Sequence, residues 1–205
     1  MAEEALALVV GLGNPGPRYA LTRHNVGFWL VDELARRYGG RFRLESRFSG
    51  EVCRITMAGR ELWLLKPLTF MNRSGQAVVR LAFFYKIPPP AILVVHDDLD
   101  LSPGTVRLKR AGGHGGHNGL RDTIQQLSSN DFLRLRLGIG HPGQGRDVVD
   151  YVLSQAPPAE QPLLDRAVEE AVQEFPLLVE GQWEKAMRIL HSRRVDAADR
   201  AVNLR

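Results

Sequence analysis

The sequence predicts an α/β domain, on three observations. Strand-like and helix-like segments alternate along the chain. Its apolar strand runs end in polar or glycine-rich loops, as open α/β sheets do where they bind ligands. The 205 residues, 44% hydrophobic and 24% charged, match an ordinary globular domain with a sizeable core.

LALVVGLG (6–13) is a buried strand that ends in a glycine turn, and the prolines of the next loop, NPGPRYALTRHN, deny it a helical ladder. VGFWLVDELARRYGG has helical periodicity through Val31, Leu34, Ala35 and Tyr38, with glycine at its end. SGEVCRITMAGRELWLLK reads as a hairpin turning at Ala58 and Gly59. Asn72 or Ser74 is the expected cap of the helix SGQAVVRLAFFYKI, which prolines 88–90 stop. AILVVHDDLDL is a continuous apolar run ending in acids, the pattern of a central strand covered on both faces. GTVRLKR is an alternating strand; GGHGGHNG follows, then the helix GLRDTIQQLSSN and the strand FLRLRLGIG. The remainder reads as two helices, AEQPLLDRAVEEAVQEFPLLVEG and QWEKAMRILHSRR, with a polar tail behind them.

Several classes are excluded. No apolar run approaches the ~20 residues of a membrane span. MAEEALALVV is acidic where a secretory signal starts basic, so a cytoplasmic protein is expected. One cysteine, Cys53, rules out a disulfide framework and a cysteine zinc cage; its place in the alternating run EVCRITM marks it as a small core residue. Net charge +4 permits an anionic partner such as nucleic acid without demanding one.

GLGNPG matches a dinucleotide fingerprint, but Pro15 and Pro17 prevent a helix from opening inside it, and Asp32 and Glu33 fall within the next helix. The loop is better read as a rigid platform presenting Asn14 and His24. A lone histidine is usually structural; an aspartate of HDDLD that accepted its Nδ1–H would leave Nε2 to take a proton from water. Those acids read equally as solvated loop residues or helix caps. His114, His117 and Asp97 are weighed as metal ligands, but no H-E-x-x-H is present and two histidines three apart in a glycine loop share no helix face. No serine occupies a G-x-S-x-G elbow. In GGHGGHNG the glycines let backbone approach a ligand, and Asn118 is either the N-cap of the helix or a ligand contact. Period two puts Arg107 and Lys109 on one strand face and Arg134 and Arg136 on another, either solvated or clamping phosphate.

GLGNPGPRYALTRHNVGF, KPLTFMNRSG, HDDLDLSPG and GGHGGHNGLRD, in this order, resemble the bacterial peptidyl-tRNA hydrolase family. The resemblance runs to about His191. It implies one α/β domain over 1–191, a twisted mixed central sheet flanked by helices, with 192–205 a polar C-terminal tail. It implies hydrolysis of the ester joining a peptide to the 3′ ribose of tRNA, without metal or organic cofactor, by a monomer. The family's catalytic histidine falls on His24 and its supporting aspartate on Asp97. Asn14 matches the asparagine that tells blocked from free α-amino groups. Tyr19, Phe70, Asn72 and Asn118 match positions that bind the peptidyl and 3′-terminal part, with Met71 and His117 lining the same cleft. Lys109 and Arg136 match a basic pair holding the tRNA 5′ phosphate. A tRNA-binding protein without catalysis is the competing reading; it would have no chemical need for Asn14, His24, Asp97 and Asn118 together.

Overall fold

A computed structural model describes residues 5–193. Seven strands form one sheet: β1 (Leu8–Gly11), β2 (Arg43–Glu45), β3 (Gly50–Met57), β4 (Arg60–Pro67), β5 (Ile92–Asp98), β6 (Val106–Arg110) and β7 (Leu133–Gly138). Their order is β2-β3-β4-β1-β5-β7-β6. The inner four, β4-β1-β5-β7, are parallel, and antiparallel partners close both sides. The sheet is mixed, as expected. The carboxyl ends of β1 and β5 are therefore neighbours, which brings GLGNPG beside HDDLD.

Period two sorts the central strands between two cores. Val9, Leu93 and Val95 face α1 (Val26–Arg37), α5 (Gln161–Val179) and α6 (Trp183–Ser192), whereas Leu8, Val10, Ile92 and Val94 face α2 (Ser74–Phe84) and α3 (Asn118–Leu127). Helix α1 crosses β1 unusually closely. A Cβ on Gly11 would lie 2.3 Å from the Gly27 carbonyl oxygen, and one on Gly27 would lie 2.5 Å from that of Leu12. This approach seats the start of α1, with the turn before it, against the ends of β1 and β5.

The β3–β4 hairpin turns at Ala58 and Gly59, both at positive φ, the backbone a two-residue hairpin turn favours. The caps of α2 and α3 differ from expectation. A 3₁₀ turn, Met71–Arg73, runs straight into α2; Arg73 occupies the cap position without a side-chain bond, and Ser74 Oγ instead donates to the Met71 carbonyl at 2.8 Å. Asn118 is the first helical residue of α3, and the cap is His117. Two short elements had no readable pattern: β2, and α4 (Val148–Val152), which Asp147 caps by accepting from the Val149 N–H at 2.6 Å. Of the tail read over 192–205, residues 194–205 lie outside the described residues.

Candidate active site

The 3₁₀ turn Arg23–Asn25 carries His24, and the end of β5 carries Asp97. His24 Nδ1 lies 2.8 Å from Asp97 Oδ1 and 2.9 Å from Oδ2. On the other side, His117 Nε2 is 2.9 Å from Asp97 Oδ1. The protons can be assigned from the surroundings. His117 Nδ1 accepts from the backbone N–H groups of Gly119 at 3.1 Å and Leu120 at 3.3 Å, so its lone pair is occupied. The His117 proton therefore sits on Nε2 and is donated to Asp97. The carboxylate accepts from both imidazoles, which leaves His24 Nε2 with no hydrogen-bond partner among the described residues.

Burial alone would raise the Asp97 pKa, but the two imidazoles beside it reverse this and hold it well below the usual carboxylate range. Burial likewise opposes protonation of His24; the Asp97 charge and hydrogen bond outweigh it and raise its pKa above the ordinary 6.5. His24 is thus a base stronger than free imidazole, fixed in the tautomer that presents Nε2.

His24, Asp97 and His117 have potential ligand atoms within 4.8 Å of one another. They do not fit a metal ion well. Both facing imidazole nitrogens would have to give up their protons, and His117 would have to carry its own on Nδ1, breaking the cap of α3.

His96 precedes Asp97 and escaped the sequence reading. Its signal was a histidine inside an apolar strand run. Its Nδ1 donates to the Asp97 carbonyl at 2.7 Å, and its buried Nε2 has no partner. Burial, then the neighbouring His117, lower its pKa to about 3. In the unfolded chain it titrates near the ordinary 6.5. Between these values the unfolded state holds a proton that the folded state lacks, so stability falls as pH falls, by about 1.4 kcal/mol per pH unit from this group. Urea unfolding of wild type and His96→Leu at pH 6.5, 5.5 and 4.5 should show the shallower slope in the variant. Equal slopes would mean that His96 protonates freely in the fold.

Asn14 is locked to the same turn. Its N–H donates to Asn25 Oδ1 at 2.9 Å, and Asn25 Nδ2 returns a bond to the Asn14 carbonyl at 2.9 Å. Asn14 Oδ1 accepts from the Met71 N–H at 2.8 Å. Only the amide donor, Nδ2, remains for a ligand. Asn25 was not singled out from sequence, although it performs the locking. Tyr19 and Phe70 meet edge to face at 6.4 Å, with Phe70 60% exposed, and Asn72 is exposed beside them. Met71 is buried, its sulfur close to where a Cβ on Gly119 would stand, so it supports this wall more than it faces solvent.

A cavity of about 490 Å³ opens beside His24, which helps to line it. Asp97, His117, Asn118, Lys109 and Arg136 line it, whereas Asn14, Tyr19, Phe70, Met71 and Asn72 stand outside it. Lys109, Arg134 and Arg136 make its lining basic; across β6 and β7 Lys109 faces Arg134, and Arg136 faces Arg107. Like charges facing one another across strands destabilise a sheet. Arg136 is offset by Asp98, 2.7 Å from its Nε. Arg134 is not solvated: it borders the cavity but is buried, and its terminal nitrogens donate to the Gly112 and Gly113 carbonyls. Those bonds fold the glycine loop, in which Gly112 and Gly116 adopt positive φ. Lys109 is exposed, with no ion-pair partner among the described residues.

Fold and site together define an α/β protein with a carboxylate-oriented imidazole at the carboxyl ends of its strands, between an aromatic–asparagine wall and a basic cavity. The chain belongs to the peptidyl-tRNA hydrolase family, whose model matches residues 8–198. It is 57% identical over 185 residues to a peptidyl-tRNA hydrolase of Halorhodospira halophila, covering 90% of this chain and 95% of that protein. It is 52% identical over 188 residues to one of Neisseria gonorrhoeae, covering 92% and 98%. The crystal structure of peptidyl-tRNA hydrolase from Acinetobacter baumannii is 49% identical and superposes with a TM-score of 0.89 over 92% of this chain and 96% of that one. Among the described residues no helix is long and apolar enough to cross a membrane.

Proposed function

We propose that this protein hydrolyses the ester joining an N-blocked aminoacyl or peptidyl group to the 3′ end of tRNA, recycling tRNA from aborted translation in the cytoplasm. The observation that carries this reading is His24, with Nδ1–H on Asp97 and Nε2 unengaged. His24 Nε2 takes a proton from water as the water oxygen attacks the ester carbonyl carbon. The tetrahedral intermediate collapses, the bond to the ribose oxygen breaks, and that oxygen receives the proton from the imidazolium. An alkoxide is a better leaving group than an amine anion, so no covalent nucleophile is required.

The other groups bind and orient. Asn14 Nδ2, its carbonyl already committed to Met71, donates to the acyl oxygen of a blocked α-amino group; a free ammonium offers no acceptor there. Asn72 and Asn118 present amides to the 3′-terminal ester and adenosine. Tyr19 and Phe70 give the peptidyl part an apolar surface, with Met71 and His117 behind the two walls. Lys109 and Arg136 hold the 5′ phosphate, so binding weakens as salt rises. The protein acts as a monomer, with residues 1–191 as its catalytic unit.

The test is tRNA release from N-acetyl-aminoacyl-tRNA and from the unblocked aminoacyl-tRNA, in EDTA, across pH 5 to 9. Only the blocked substrate should be cleaved. Below the raised His24 pKa the base is protonated and idle, so the rate should climb about tenfold per pH unit and level off above 6.5. Loss of activity in EDTA, equal cleavage of both substrates, or bound tRNA without cleavage would each sink the reading.

A further inference from the structure

Arg23, beside the proposed base, is one of the few charged side chains in the interior, 5% exposed. Removing a guanidinium from water is costly unless its donors are met. The two terminal nitrogens converge on one segment, while the buried Nε has no partner among the described residues. Nη1 bonds Ser154 Oγ at 2.7 Å and the Gln155 carbonyl at 2.9 Å, and reaches the Tyr151 carbonyl at 3.3 Å. Nη2 pairs with Glu160 at 3.2 Å, and the guanidinium lies over the Tyr151 ring, 4.1 Å from its centroid. The backbone joins in: the Arg23 N–H donates to the Ser154 carbonyl at 3.0 Å.

The anchor leads back to the strand that carries Asp97. Tyr151 Oη donates to the Ile139 carbonyl at 2.6 Å. The Ile139 N–H donates to the Asp98 carbonyl at 3.0 Å. A second path therefore connects the turn of His24 to the end of β5, independent of the His24–Asp97 bond. The same segment ends α4, whose Val148, Val149 and Val152 wall the cavity.

We infer that Arg23 is a positioning residue for the hydrolysis: its guanidinium registers the His24 turn against the end of β5 and the α4 wall, and so sets where Nε2 stands. The inference rests on the proposed role of His24 as base. A base displaced by about 1 Å loses up to about a hundredfold in rate, whereas substrate held by the aromatic wall and the basic lining is bound as before.

The experiment compares wild type, Arg23→Gln and Arg23→Lys, well below their melting temperatures, with N-acetyl-aminoacyl-tRNA. In parallel, ¹⁵N-histidine NMR follows the His24 Nδ1–H, assigned by its loss in His24→Ala, and the His117 Nε2–H. His117 is anchored by α3 and serves as an internal control. Arg23→Gln should lower kcat about tenfold or more with KM within about twofold, and lose the His24 proton signal to exchange while His117 keeps its own. Arg23→Lys, which keeps the charge without the fork, should recover part of both. Unchanged kcat, or loss of both imidazole signals together, would overturn the inference, the latter because it shows a general structural role. If Arg23→Gln does not fold, Arg23→Lys decides by the same criteria. If wild type itself is inactive, the proposed function fails, while the NMR arm still tests the positioning.

Discussion

Replacing His24 by alanine is expected to lower turnover of N-acetyl-aminoacyl-tRNA by about a hundredfold to ten-thousandfold, the range for loss of a positioned general base. No neighbour can substitute. His117 has its Nδ1 lone pair spent on α3 and its Nε2 proton on Asp97. His96 is buried, with its own proton on the Asp97 carbonyl. Binding should survive, because Lys109 and Arg136 stand on β6 and β7, far in sequence from the turn of His24. The variant leaves Asp97 with one imidazole donor instead of two, at a cost of about 1–3 kcal/mol in stability. Single-turnover cleavage, filter binding of deacylated tRNA and a melting curve separate the three effects. A variant that folds and cleaves at the wild-type rate would remove His24 from the mechanism.

The fold was legible where burial dictates pattern. β1 and β5 are covered on both faces and read as unbroken apolar runs; α1 shows its stripe; the β3–β4 hairpin announces its turn. β2 and α4 span three and five residues, too few for a period to repeat. The site was legible only as types of residue in loops. Sequence could propose that an aspartate of HDDLD meets His24, but not that the same carboxylate also accepts a hydrogen bond from His117. That depends on which residue caps α3. Asparagine is a favoured cap, so Asn118 was the natural expectation; the backbone instead enters the helix one residue earlier, and an imidazole nitrogen does the capping. Arg134 and Arg136 are indistinguishable by period two and both border the cavity, yet one is buried and spent on glycine carbonyls and the other pairs with Asp98. Arg23 and Asn25 flank the histidine that drew notice, and their partners lie 131 and 11 residues away. No local pattern encodes such distances.

The cap on α3 makes the outcome of Asp97→Asn specific. Asparagine has the shape of aspartate, but one of its two oxygens becomes an NH₂ donor. His117 cannot turn its proton around without losing the Gly119 and Leu120 bonds that its Nδ1 accepts. It therefore keeps the amide oxygen at the Oδ1 position, which His24 shares, and the NH₂ takes the Oδ2 position, 2.9 Å from His24 Nδ1. Where His24 Nδ1 accepts from this NH₂ instead of donating to the shared oxygen 2.8 Å away, its proton sits on Nε2, the nitrogen that has to be empty to receive one from water. Turnover should fall by about a thousandfold to ten-thousandfold, as when a carboxylate-to-amide change inverts the tautomer of a catalytic histidine. Losing the charge also removes what raises the His24 pKa, leaving the lowering effect of burial. The acidic limb of the residual activity should accordingly move below that of wild type. Histidine NMR at neutral pH gives a direct reading: the His24 proton moves from Nδ1 to Nε2, while that of His117 stays where it was. A variant whose His24 keeps its Nδ1 proton and whose rate is near wild type would show that the carboxylate does not set the tautomer of the base.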